Sequence, residues 1–179
     1  MNYHKIEKTS ISNGEGIRVV LWVSGCRIGC KGCHNKETWS FNSGKLFDED
    51  VKKELFEALD KSYIQGITFS GGHPLESENV EVIRDLIIEI KEKFPSKNIW
   101  LYTGFTWDEI FKSTCKTRQQ IVSECDVLVD GRYINELRNP SAHWVGSTNQ
   151  RVIDIQKSLR ENRVVLYGWF KKEWNRILH

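Results

Sequence analysis

Three of the chain's five cysteines fall within eight residues, in the stretch Cys26-Arg27-Ile28-Gly29-Cys30-Lys31-Gly32-Cys33-His34-Asn35 that follows directly on a strand-like run. Three thiolates so close in sequence read as a metal site, and the metal they hold decides the function. The odd number of cysteines argues against a disulfide framework. Met1-Asn2-Tyr3-His4-Lys5 leads into a polar stretch without the apolar core of a signal peptide, and no apolar run reaches bilayer length. A cytoplasmic protein with no membrane role is expected. Its reducing surroundings favour metal or redox thiols over disulfides.

A chain of 179 residues suits one hydrophobic core, so residues 1–179 are read as a single domain. The near-neutral net charge of +2 offers no electrostatic footprint for nucleic acid. Lys171-Lys172 and Arg176 make the C-terminal end locally basic and read as a solvated face.

Gly14-Glu15-Gly16 forms a flexible lead-in to Ile17-Arg18-Val19-Val20-Leu21-Trp22-Val23, a β-branched run suited to a buried first strand. From Asp48, a fitting N-cap, Val51, Leu55, Ala58 and Leu59 recur at helical spacing. Ile67-Thr68-Phe69 is a second strand, stopped by Ser70-Gly71-Gly72-His73-Pro74. A second helix is expected from about Ser77 to Phe94. Ile99-Trp100-Leu101-Tyr102 is a third strand ending at Thr103-Gly104. Thr106-Trp107-Asp108-Glu109 fits a capping box, a further short helix precedes Cys125, and Val127-Leu128-Val129 is a fourth strand ending at Asp130-Gly131-Arg132. Val152-Ile153-Asp154-Ile155 reads as one more strand. For Val164-Val165-Leu166-Tyr167, edge strand and appendage both stay open.

Strands alternating with helices imply right-handed βαβ units, hence an α/β fold built as a partial (β/α) barrel with a mostly parallel sheet. The loops carrying the cysteines, Gly71-Gly72, Thr103-Gly104 and Asp130-Gly131-Arg132 then meet at the carboxyl ends of the strands, where such sheets bind ligands. One site assembled from four loops is expected. Trp22 and Trp100 are read as core. Trp39, Trp107 and Trp144, in or near loops, could line a docking face. Cys115 and Cys125 flank a helix at no spacing that recruits them to a metal, and read as small buried residues.

Three metals compete for the cysteine loop. Cys30-Lys31-Gly32-Cys33-His34 matches the haem-attachment pattern, but that reading leaves Cys26 idle, and the only methionine, the common second haem ligand, is Met1. Structural zinc on Cys26, Cys30, Cys33 and His34 has an acceptable donor set, although neighbouring ligands at 33 and 34 are awkward for one tetrahedron. An iron-sulfur cluster held by three cysteines leaves one iron open to a small chelating molecule. Soft thiolates suit either of the last two metals.

These residues resemble the radical S-adenosylmethionine enzymes, and within them the anaerobic ribonucleoside-triphosphate reductase activating proteins. The resemblance runs over about residues 1–155, leaving 156–179 as a C-terminal extension. It is carried by Asn13-Gly14-Glu15-Gly16, the triad Cys26, Cys30 and Cys33 with Asn35, Ser70-Gly71-Gly72, Tyr102-Thr103-Gly104, Asp130-Gly131-Arg132-Tyr133 and Gly146-Ser147-Thr148-Asn149-Gln150-Arg151. It implies one 4Fe-4S cluster on Cys26, Cys30 and Cys33, with S-adenosylmethionine on the open iron. Reductive cleavage would give a 5'-deoxyadenosyl radical that takes hydrogen from a glycine of the large anaerobic reductase subunit, the electron coming from a donor such as a flavodoxin. The implied cofactor contacts are Gly32, Cys33, His34, Gly71, Gly72, His73, Asp130 and Arg132, the last two as partners of the methionyl ammonium and carboxylate. Family members usually carry an acidic residue after the paired glycines; His73 stands there instead, able to offer a neutral nitrogen acceptor. Two other readings stay open: an activase of a different glycyl-radical enzyme, and a non-catalytic zinc-binding adaptor.

Overall fold

The computed structural model describes residues 1–168, so the basic segment around Lys171-Lys172 and Arg176 lies outside the described residues. In chain order the strands are β1 (Asn2–Ser10), β2 (Arg18–Val23), β3 (Lys45–Leu46), β4 (Gly66–Gly71), β5 (Asn98–Tyr102), β6 (Val127–Asp130) and β7 (Arg151–Asp154). The α-helices are α1 (Glu49–Leu59), α2 (Val80–Lys93), α3 (Trp107–Phe111), α4 (Lys116–Glu124) and α5 (Ile155–Glu161). The strands form one sheet in the order β3-β1-β2-β4-β5-β6-β7.

The four strands expected from β-branched runs, β2, β4, β5 and β6, pair in parallel at its centre. Both flanks are antiparallel: β1 on β2, β3 on β1, and β7 on β6. The fold is therefore α/β with a mostly parallel sheet, a barrel begun but not closed. β1 replaces part of what reads as an irregular polar start. Along it only Tyr3 and Ser10 are buried, so it lacks a continuous apolar run.

Alternation along the strands separates two cores. Val19, Leu21, Val23, Ile67, Phe69, Ile99, Leu101, Leu128 and Ile153 face the helices, where they join Leu55, Leu59, Ile83, Ile87 and Ile90. Burying each such side chain stabilises the fold by roughly 1.5–3 kcal/mol before chain entropy is counted. The opposite face carries a smaller cluster of Trp100, Val127, Val129, Val145 and Val152, flanked by Trp144, Leu166 and Tyr167. Trp100 is fully buried there, whereas Trp22 is half-buried, its indole N–H donating to Glu7 at 3.1 Å.

Helix starts follow their side chains. Asp48 accepts from the Val51 N–H, and Thr106 and Glu109 form the reciprocal capping box. Residues 164–167 add a short antiparallel bridge outside β7: Asp154 N–H donates to Val165 O, and Tyr167 N–H to Val152 O. Among the described residues no helix is long and apolar enough to cross a membrane.

Candidate metal centre

The parallel strands all deliver their carboxyl ends to one edge. β2 runs out at Val23, and Gly25 turns the chain with φ +93°; a Cβ there would sit 2.2 Å from the Phe41 ring, so only glycine fits. The cysteine loop is then tied down by its backbone. Gly25 N–H donates to Thr38 O, Cys26 N–H to Trp39 O, and His73 N–H to Gly25 O. Its middle rests on the loop after β5, because Ile28 occupies the space that a side chain at Gly104 would need.

Cys26, Cys30 and Cys33 are free, partly exposed thiols lining one depression of about 130 Å³. Its other walls include Gly71, Gly72, Thr103, Gly131 and Gln150, with His73 at the floor. The loops expected to meet after β2, β4, β5 and β6 are thereby brought together. Each sulfur is approached by backbone N–H groups: Cys26 from Ile28 and Gly29, Cys30 from Tyr133, and Cys33 from Asn35 at 3.4 Å. Burial raises the pKa of Cys26 and Cys30, against the lowering effect of those N–H donors. Backbone donors aimed at sulfur stabilise thiolate, the form in which cysteine binds metal.

Among the described residues no three His, Cys, Asp or Glu side chains converge tightly enough to hold a single metal ion. Zinc–sulfur bonds of about 2.3 Å would pull such ligands to within about 4 Å of one another. A cube of iron and sulfur with ligands on three separate corners needs them farther apart. Three free thiols with N–H donors around one depression offer the soft donors that such a cube takes, whereas His34, the fourth donor of the zinc set, does not line that depression. His34 instead faces a neighbouring cavity of about 500 Å³ and packs against Tyr133 at 5.6 Å. Trp22, Tyr102 and Trp144 also line that cavity, which meets the cysteine depression along Cys33 and Asn35. Trp39 lines the depression itself, whereas Trp107 packs on Phe111 at 4.3 Å.

The remaining expected contacts are dispersed. Gly32, with φ +77°, lies against Asn135. Asp130 and Arg132 line a separate polar depression that adjoins the cysteine site only across Gly131. They are not partners of each other. Asp130 is buried and accepts from Arg151 Nε at 3.0 Å and Nη2 at 2.5 Å, and from the Trp107 N–H at 2.8 Å; Arg132 reaches Glu109 at 3.4 Å. The antiparallel register of β6 on β7 sets Asp130 opposite Arg151, and parallel-strand reasoning does not foresee that pairing.

His73 is buried, with Nε2 2.7 Å from Thr103 Oγ1 and Nδ1 3.4 Å from Glu76 Oε1. Desolvation lowers its pKa, opposed by Glu76. Burial would raise the Glu76 pKa, but hydrogen bonds from His73 and from the Arg27 N–H and guanidinium outweigh it and hold the carboxyl at about 2. Sequence reasoning gave no role to Glu76, Arg27 or Gln150. The last accepts from the Gly146 and Ser147 N–H groups and donates to Gly131 O. Their only advance signal is position: an arginine between two cysteines, carboxylates just past Gly71-Gly72, and a glutamine within the already noted 146–151 segment. Cys125 is fully buried with its thiol on Ile121 O, as expected, whereas Cys115 is only partly buried because it stands at the N-cap position of α4, where its side chain makes no capping bond; neither lines the depression.

A fold with an α/β sheet and one open three-cysteine site defines a class, and residues 12–153 match the family described as a 4Fe-4S single cluster domain. The chain is similar to proteins named anaerobic ribonucleoside-triphosphate reductase-activating protein. That of Haemophilus influenzae is 41% identical over 152 residues, covering 84% of this chain and 96% of the relative. That of Escherichia coli is 42% identical over 154 residues, covering 85% and 97%, and that of Pasteurella multocida 40% over 152, covering 84% and 95%. The chain belongs to the anaerobic ribonucleoside-triphosphate reductase-activating protein family.

Proposed function

We propose that this protein is a radical S-adenosylmethionine enzyme that installs a glycyl radical on the large subunit of an anaerobic ribonucleoside-triphosphate reductase. The observation that carries this reading is the trio of free thiols Cys26, Cys30 and Cys33 facing Gly71-Gly72 across one depression. Three cysteines would hold three irons of a 4Fe-4S cluster and leave the fourth for the amino and carboxylate groups of the cofactor. When bound and reduced, such a cluster would supply the one electron for cleaving S-adenosylmethionine to methionine and a 5'-deoxyadenosyl radical, which would take a glycine Cα hydrogen and leave as 5'-deoxyadenosine.

The chain's own residues do the positioning. Gly71 and Gly72 let the loop after β4 pack directly on the backbone of Val23 and Gly25, where a Cβ would collide, and so bring it against the depression that the sulfurs line; His34, beside Cys33, faces the larger cavity through which a partner loop would reach the site. Arg132 and Asp130 would meet the cofactor's methionyl end from across Gly131, which requires Asp130 to share its carboxylate with Arg151. An external one-electron donor such as a flavodoxin completes the balance, in the cytoplasm. The same reading treats residues 1–179 as one domain with a family-like core of about 1–155.

Anaerobic reconstitution with iron and sulfide, then reduction with S-adenosylmethionine present, is expected to release 5'-deoxyadenosine and, with the reductase added, an EPR doublet from a glycyl radical. Tightly bound zinc without cleavage would overturn the reading in favour of an adaptor. Cleavage without a radical on the reductase, but with one on another glycyl-radical enzyme, would reassign the partner.

A further inference from the structure

Between Cys26 and Cys30 the loop carries one cation, Arg27, whose hydrogen bonds and ion pairs among the described residues run to Glu76 and Glu78 after β4 and whose guanidinium lies on Phe41. Its backbone N–H donates to Glu76 Oε1 at 2.8 Å, and Nη1 donates to Glu76 Oε2 at 3.0 Å and to Glu78 Oε2 at 2.8 Å. Its guanidinium covers Phe41 at 4.2 Å, the same ring that abuts Gly25. The Arg27 side chain is 55% exposed and Glu76 only 6%, so the bond to Glu76 is the one that water screens least.

Behind Glu76 the chain of hydrogen bonds continues inward. An ionised carboxylate only accepts, so His73 donates to Glu76 through Nδ1–H and its Nε2 accepts from the Thr103 hydroxyl, whose oxygen takes the Phe105 N–H at 3.1 Å. Phe105 stands edge-on to the His73 ring at 4.5 Å, and the Arg118 guanidinium lies over the Phe105 ring at 5.0 Å. Asn79 adds a parallel tie, donating to both Ser24 O and His73 O. Both nitrogens of His73 are engaged and the residue is 1% exposed, leaving it no polar atom to offer a ligand.

We infer that Arg27, Glu76 and His73 form a latch that positions the cysteine loop over the ends of β4 and β5, and that His73 serves this latch and does not bind the cofactor's ammonium. The inference rests on the reading that Cys26, Cys30 and Cys33 hold the cluster. Arg27 is the loop's handle, Glu76 the buried anion that grips it, and His73 the positioning residue that orients Glu76 from Thr103. Partners that hydrogen-bond metal ligands directly are worth roughly 10- to 100-fold in metal affinity, and a latch that acts one step further out, through the loop backbone, falls at the lower end of that range.

The test uses the full chain, anaerobically reconstituted, as wild type and as Glu76→Gln, Arg27→Met, Arg27→Lys and His73→Asp. Readouts are iron and sulfide content, the rate of iron loss to a chelator, the cluster's midpoint potential, and kcat and KM for S-adenosylmethionine cleavage. Glu76→Gln and Arg27→Met are expected to lose iron roughly 10-fold faster, with a shifted potential and an unchanged KM. Arg27→Lys is expected to recover part of the retention. His73→Asp, which sets a second carboxylate beside Glu76, is expected to behave like Glu76→Gln. Arg27 lies on the exposed side of the latch, so its variants keep the test decisive if a buried substitution fails to fold. Chelator rates and potentials equal to wild type would overturn the latch. So would a raised KM with normal iron retention, which would make these residues cofactor contacts. Wild type that takes up no iron and sulfide would overturn the cluster reading instead.

Discussion

Two arginines at opposite ends of β2 show how differently the two edges of the sheet are built. Arg18, at the amino end, is fully buried, and its donors all reach uncharged oxygens: Thr68 Oγ1, Ile67 O, Asn98 Oδ1 and O, and Glu15 O. It lies against the Trp100 ring at 5.2 Å, and burial lowers its pKa to about 10, leaving it a cation at neutral pH. Arg27, beyond the carboxyl end, is half-exposed, grips two carboxylates and sits among thiols that have no covalent partner. A closed network at one edge holds strands in register; a network that stops short of the sulfurs at the other edge leaves them available. The difference assigns stability to the first edge and chemistry to the second.

The sharpest way to break that division is at the thiols. Cys26→Ala, Cys30→Ala or Cys33→Ala is expected to abolish S-adenosylmethionine cleavage while the apo protein's thermal midpoint moves little, since all three side chains are partly exposed. A loss of fold as large as the loss of cleavage would erase the contrast. Arg18→Met is expected to show the opposite pattern. It should cost about 1–3 kcal/mol in urea unfolding, because buried acceptors on Thr68, Ile67 and Asn98 lose their donor, with cluster uptake of the folded fraction preserved.

Acid should probe the carboxyl edge selectively. His73 has a depressed pKa, so below the ordinary value of about 6.5 the unfolded chain takes a proton that the folded chain refuses, and stability falls as pH drops through that window. Glu76 adds a second loss of the same sign between its ordinary range near 4.5 and about 2, as the folded carboxylate is finally protonated. Urea midpoints of the apo protein at pH 7.0 and 5.5 are expected to converge in a His73→Gln variant, and an unchanged slope would discount the buried imidazole. The smallest effect is expected at Cys115→Ala, which should leave cleavage at the wild-type level.

Much of the carboxyl edge was legible from spacing. The β-branched runs of β2, β4, β5 and β6 end at glycines or polar turns, and right-handed connections gather those ends. Asp48 and Thr106 announced their helices because capping is a local interaction. β1 escaped notice because its burial comes from pairing with β2 and not from its own composition. Asp130 with Arg151, and Arg27 with Glu76, are pairings across 21 and 49 residues that only the assembled sheet creates. His73 carried no sign that its nitrogens would be spent on Thr103 and Glu76, since a histidine in a loop looks the same whether solvated or enclosed.

Tyr167 lies beyond residue 153, where the match to the family model stops. From its place beside β7 its phenol donates to Glu15 at 2.6 Å, just ahead of β2, and its ring meets Trp100 and Trp144 on the way. Among the described residues, the four parallel strands of this open sheet are thus crossed on their helix-free face by the Tyr167 O–H. The crossing acts as a tie-beam, so removing one oxygen, as in Tyr167→Phe, tests whether an incomplete barrel keeps its span through its strands or through what is stretched between them.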